Sequence, residues 1–184
     1  MKKILLTSVL ALGVATSAHA TDWFVGGSVG FNWVEDTYTS FSIAPEVGYN
    51  LNEKWDVGAM LGYKYWSQSG IKYVESEYSA GVFARYNVIQ FGDVKLLGKA
   101  TAYVDYWSES FDGKTLFDGT SFGLKVAPMI TYDISKSFTL FTELDFLGAG
   151  IHSVVDGKTS FGFGFDSNSV KKLGDIKVGF YYNF

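Results

Sequence analysis

The residues with the clearest chemical potential lie late in the chain. His152 is followed by Ser153 and then, within the same short segment, by Asp156. A hydroxyl nucleophile, an imidazole base and an acid to orient that base are the parts of an acyl-transfer site, provided base and nucleophile come within hydrogen-bond reach. Adjacent residues of a strand point to opposite faces, so His152 and Ser153 do not meet in an extended chain, and the plainer reading is a loop histidine without a role. Glu143 and Asp145 share one strand face and could work as paired carboxylates. An ion pair of either with Lys125 or Lys177 is the simpler alternative. No metal or cofactor is expected: there is no cysteine, no second histidine beyond His19, and no acidic loop with calcium-type spacing. Gly162 and Gly164, in Ser160-Phe-Gly-Phe-Gly-Phe-Asp166, lack the third glycine and the strand-to-helix setting of a phosphate cradle.

Behind these residues stands a period-two pattern. Eight stretches alternate in the same sense, each near the ~9–11 residues that a tilted strand needs to cross a bilayer. Their oily faces run Trp23–Trp33, Phe41–Leu51, Trp55–Tyr65, Tyr78–Val88, Val94–Tyr106, Phe122–Tyr132, Phe138–Phe146 and Ile176–Phe184, and none carries a charge. The opposite faces collect Glu46, Asp56, Lys64, Glu77, Arg85, Lys95, Lys99, Asp105, Lys125, Glu143, Asp145 and Lys177. Alternation alone fits two architectures. A lipocalin-like soluble barrel would turn the oily face inward, and a membrane barrel would turn it outward.

The strand ends separate the two. Aromatics gather where each oily face stops: Trp23, Tyr49, Trp55, Tyr86, Tyr132, Phe138 and Phe184 at one rim, and Trp33, Phe41, Tyr63, Tyr65, Tyr78, Tyr106, Phe122 and Phe146 at the other. Two such girdles suit two lipid–water interfaces. Connections at the first rim are tight, as at Asn52-Glu53-Lys54, Gln90-Phe91-Gly92-Asp93 and Ser135-Lys136-Ser137. At the second rim they lengthen through 34–40, 67–75 and 108–120 to 150–173. Short periplasmic turns and longer outside loops are the usual arrangement, which predicts periplasmic termini. Prolines at 45 and 128 lack a ladder donor in a closed sheet, so a bulge or weakened pairing is expected at each. They sit in an internal echo, Ala44-Pro-Glu-Val-Gly-Tyr against Ala127-Pro-Met-Ile-Thr-Tyr.

Lys2 and Lys3, the apolar run from Ile4 and the Ala18-His19-Ala20 segment read as a cleaved secretory signal, giving a leader over 1–20 and a barrel over 21–184. Without Lys2 and Lys3 the formal charge of −4 becomes −6, and no basic patch is visible, which argues against nucleic acid as a partner. With 16 Phe, 12 Tyr, 5 Trp and 21 Gly against 2 Pro, the composition favours strands over helices.

On its leader, strand count, girdles, loop asymmetry and the terminal Phe180-Tyr-Tyr-Asn-Phe184, the chain resembles the small eight-stranded outer-membrane barrels of the OmpX and OmpA transmembrane-domain types. The resemblance implies an all-β, antiparallel, up-and-down transmembrane barrel in the bacterial outer membrane. It further implies that the barrel-assembly machinery reads Phe180, Tyr182 and Phe184. No periplasmic domain follows Phe184, so peptidoglycan anchoring is not expected. An eight-stranded barrel is just wide enough for its own side chains. Glu46, Lys64, Glu77, Arg85, Lys99, Asp105, Lys125, Glu143 and Asp145 are therefore expected to form a lumenal polar network rather than line a pore. The expected job is non-enzymatic: envelope structure and surface interaction, with outer-membrane lipid and lipopolysaccharide around the barrel and a host or cell-surface ligand at the loops. Phe161, Phe163 and Phe165, flanking the Asp156-Gly157 turn signal, are the candidate recognition loop, expected to rise above the membrane. A lipid A-modifying enzyme using His152 and a narrow pore are the alternatives.

Overall fold

Alternation of oily and polar residues over most of the chain becomes strand over most of the chain. The computed structural model describes residues 22–34, 37–68, 70–144, 149–154, 159–163 and 176–184, so the expected leader lies outside the described residues. The strands are β1 (Trp23–Val34), β2 (Tyr38–Asn50), β3 (Trp55–Gln68), β4 (Tyr73–Phe91), β5 (Val94–Phe111), β6 (Lys114–Ser135), β7 (Phe138–Leu144), β8 (Ala149–Val154), β9 (Thr159–Phe163) and β10 (Ile176–Asn183). Strands β1 to β7 pair antiparallel with their sequence neighbours, and β10 bridges β7 to β1, which closes the ring.

β7 and β8 share one edge of β6: β7 runs along Met129–Ser135 and β8 along Ser121–Val126. β9 lies along β8 as β10 lies along β7. The ring thus has eight positions, the seventh built from β7 and β8 and the eighth from β9 and β10.

The two faces differ sharply. Val29, Ile43, Val47, Leu61, Val82, Val104, Leu124, Val126 and Val178 are exposed, while Ser28, Glu46, Arg85, Lys99, Thr101, Asp105, Ser121, Thr131 and Glu143 are buried. Exposing large apolar side chains to water forfeits about 1.5–3 kcal/mol each, so this belt calls for hydrocarbon around it. The soluble, lipocalin-like alternative is thereby excluded. Aromatic pairs border the belt, with Trp23–Tyr49 at 5.3 Å and Trp55–Tyr86 at 4.8 Å at the rim of tight turns, and Tyr63–Tyr78 at 5.0 Å at the other.

Both prolines lie where pairing lapses on one side only. Pro45 faces Gly27 of β1, but the β2–β3 ladder skips Ala44 and Pro45. Pro128 faces Gly98 of β5, while Ala127 and Pro128 fall where β6 exchanges β8 for β7. The missing donor is accommodated without opening the ring.

Two expected loops prove to be paired strand. β4, β5 and β6 have 19, 18 and 22 residues, well beyond the ~9–11 needed to cross hydrocarbon. Most of 67–75 and 108–120 therefore forms hairpins that continue the wall outward. The β5–β6 hairpin closes through Asp112 and Gly113 with φ of 49° and 76°, the left-handed pair that a two-residue turn requires. The expected loop 150–173 is corrected in part as well. β8 pairs at the level of the lipid-facing Phe122, Leu124 and Val126, where a lipid-exposed loop would strand backbone polar groups in hydrocarbon.

Candidate functional site

The lumen is built from the residues of the polar face, and its middle is closed. Lys99 of β5 is 2% exposed and places its Nζ 2.6 Å from Glu46 Oε1 of β2 and 2.8 Å from Glu143 Oε2 of β7. Lys125 reaches the other Glu143 oxygen at 3.1 Å, and the Tyr181 hydroxyl donates to Glu46 Oε2 at 2.7 Å. One cation thus ties three strands from different sides of the barrel. Glu46 and Glu143 are each held on both oxygens, the condition under which buried charge is tolerable.

Aromatic rings pack on the side of the tight turns. Phe24, Phe83, Leu97, Met129, Phe141 and Tyr181 form an apolar cluster. The Arg85 guanidinium lies 4.3 Å from the Phe24 ring centre and 4.5 Å from that of Tyr181, and its Nε is 3.1 Å from Asp56 Oδ2. Phe141 stacks on Tyr181 at 4.4 Å. Room for the Phe24 ring comes from Gly48 on the neighbouring strand, where a Cβ would sit 2.1 Å from the ring. Below this layer a recess of about 760 Å³ opens at the rim of the tight turns, expected to face the periplasm, with Lys95–Asp133 paired at 2.8 Å in its wall. Ions entering from that side meet a guanidinium packed against two rings and then the Lys99 cluster.

Of the residues predicted to share the lumen, Glu46, Lys99, Lys125 and Glu143 come together in contact, and Arg85 joins them through Tyr181. Lys64 and Glu77 stand directly opposite on β3 and β4, and Asp105 lies farther along the same wall on β5, but none of the three is in an ion pair among the described residues. Asp145 lies outside the described residues, as do Phe146 and Phe165. Phe180 and Tyr182 are exposed on the lipid face; Phe180 stacks on Phe138 at 5.4 Å and Tyr182 meets Phe184 at 5.3 Å. In β9, Phe161 pairs with Ile151 and Phe163 with Ala149, so both lie in a strand laddered to β8, which is itself laddered to β6.

Sequence reasoning missed Ser160. His152 is its direct ladder partner, a pairing that no local sequence pattern shows. It also missed Tyr181, on the polar face of the terminal strand. The aromatic among smaller and charged residues on that face was the available signal.

The lipid-facing belt, closed ring and polar lumen can be set beside solved structures. Neisserial surface protein A superposes with a TM-score of 0.55 at 16% identity, over 90% of this chain and 98% of that one. A major outer membrane protein from Thermus thermophilus gives 0.50 at 13% identity, over 90% of this chain and 100% of that one. The fold is that of the small outer-membrane barrels. No family model and no curated protein matches this outer-membrane barrel in sequence, so its likeness to these proteins is one of architecture. Physically the barrel's belt and girdles place it in a bilayer, and closed single-chain barrels of this build span bacterial outer membranes.

Proposed function

We propose that this outer-membrane barrel is a non-enzymatic envelope protein with a sealed lumen, whose outward hairpins supply a surface for recognition. The observation that carries the reading is Lys99, buried and bonded to Glu46 and Glu143 across the lumen, because a barrel plugged in this way spends its interior on stability rather than transport. The hairpins β3–β4 and β5–β6 supply surface beyond the belt, and loops on a rigid scaffold are where binding usually resides. Outer-membrane lipid and lipopolysaccharide surround the belt in this reading, and the assembly machinery reads Phe180, Tyr182 and Phe184 during insertion.

The test is display of the barrel on a barrel-assembling host, comparing the intact protein with one trimmed at both hairpin tips, and scoring binding to cells and matrix proteins. Hairpin-dependent binding supports recognition; equal, negligible binding by two correctly assembled proteins refutes it. A second reading, a lipid A-modifying hydrolase or acyltransferase, is favoured by one observation, the His152–Ser160 ladder pair. A change in the lipid A mass spectrum that His152→Ala abolishes would establish it. Steady conductance by the purified barrel would instead favour a pore.

A further inference from the structure

Above the Lys99 cluster the polar face continues up the protruding hairpins, and the ladder registers stack its residues in rows. Nearest the tips, Trp66, Glu75 and Glu109 lie side by side on β3, β4 and β5. The next row holds Lys64, Glu77 and Trp107, and the next Gly62, Ser79, Asp105 and Ser121. Tyr38 stacks on Trp66 at 5.8 Å, and Tyr73 meets the same indole edge-on at 5.6 Å, so the mouth has an aromatic wall.

Three features of this wall are satisfied only in part from within. Glu75 directly opposes Glu109, an arrangement that destabilises a sheet unless a cation intervenes; the Tyr73 hydroxyl donates to Glu109 and Lys64 lies near Glu75, which leaves two acids to one cation in these rows. Asp105 is 6% exposed yet in no ion pair among the described residues. Ser121, fully buried across the ladder from Asp105, has a hydroxyl with no hydrogen-bond partner among them. The nearby cations are unequal to the acids. Lys125 is bonded to Glu143, Lys177 stands opposite Glu143 on the β7–β10 ladder, and Lys64 faces Glu77.

We infer that this outer half of the lumen is a binding cup for a linear aliphatic polyamine. Carboxylates recur two residues apart down the wall, about 6.6 Å along a strand. That is close to the spacing of amines separated by four methylenes, five bonds at roughly 1.2 Å of extension each. The rings of Tyr38, Trp66, Tyr73 and Trp107 offer π-faces to ammonium groups and apolar surface to the methylenes between them. At the bottom the Ser121 hydroxyl and Asp105 receive the terminal amine. Specificity follows from this ladder: a compact divalent ion satisfies one row, whereas a long chain satisfies several at once. The cup does not depend on the hairpins' binding a cell surface.

The refolded full barrel in zwitterionic micelles is titrated with spermidine, putrescine and magnesium chloride at matched ionic strength, following tryptophan emission and heat. Saturable binding is expected, with spermidine about tenfold or more tighter than putrescine. Glu75→Gln with Glu109→Gln, and separately Trp66→Leu, should each weaken spermidine about tenfold or more. Asp133→Asn, at the periplasmic recess, should leave it unchanged. Heat-shifted gel migration certifies that each variant is folded, and Asp105→Asn provides a further variant inside the cup. Absence of saturable binding by folded wild type, equal affinity in the double variant, or displacement of spermidine by magnesium as readily as by putrescine would overturn the assignment.

Discussion

In the middle of the lumen Lys99 meets two carboxylates at 2.6 and 2.8 Å, whereas farther out Lys64 faces Glu77 across one ladder step without contact. Residue types and alternation are the same in both places. The difference lies in what fills the space around them. At the middle, Phe83, Met129 and Phe141 crowd the lumen and exclude water, so a long cation must find partners, and it finds them on distant strands. Toward the hairpin end the wall rises beyond the belt, Lys64 stays exposed, and being ladder neighbours does not by itself make an ion pair. Closure is thus a property of packing, with charge arranged to suit it.

Substitutions should sort along the same axis. Lys99→Met leaves Glu46 and Glu143 buried without their shared cation and should cost about 3–5 kcal/mol in urea unfolding from micelles. Adding Glu46→Gln and Glu143→Gln to it should return most of that loss; if the triple variant is no more stable than the single, desolvated charge is not what the cluster manages. Arg85→Lys keeps the charge but loses the flat guanidinium packed against both Phe24 and Tyr181, an expected cost of about 1–2 kcal/mol by the same assay. In the outer half, Lys64→Gln should change stability by less than about 1 kcal/mol, and a loss as large as that of Lys99→Met would erase the distinction between the two halves. Smallest of all is Lys72→Ala, which removes a tip ion pair with Asp112 whose side chains are 77% and 59% exposed; its midpoint should be indistinguishable from wild type.

Alternation made the ring legible in the sequence, because period two separates the lipid face of Val29, Val82 or Val178 from the buried face of Glu46, Arg85 and Lys99. It could not name partners. Glu46, Lys99 and Glu143 come from the second, fifth and seventh strands, and their meeting depends on strand tilt and ladder register, which no local pattern encodes. The sequence left Glu143 between Lys125 and Lys177; the structure adds Lys99, nearer than Lys125. The outward hairpins were hidden for another reason. A search for oily alternation stops where the lipid does, although Asp112-Gly113 carried a strong turn signal in plain view. His152 and Ser160 likewise needed a register before they could be seen as a pair.

The ring is sealed by the ladder from Phe24–Asn183 to Val29–Val178, extended by the Phe184 amide donating to the Trp23 carbonyl at 3.0 Å. Every other ladder between β1 and β7 joins neighbours in the chain, but this one joins nearly the first described residue to nearly the last. Contacts so far apart in sequence are slow to find. During the interval between building the hairpin-linked ladders and making this last one, β1 and β10 are two open edges, each able to pair with a foreign strand. The time this barrel spends exposed to misassembly is therefore set by how fast its two ends meet, and not by how stable it is once they have.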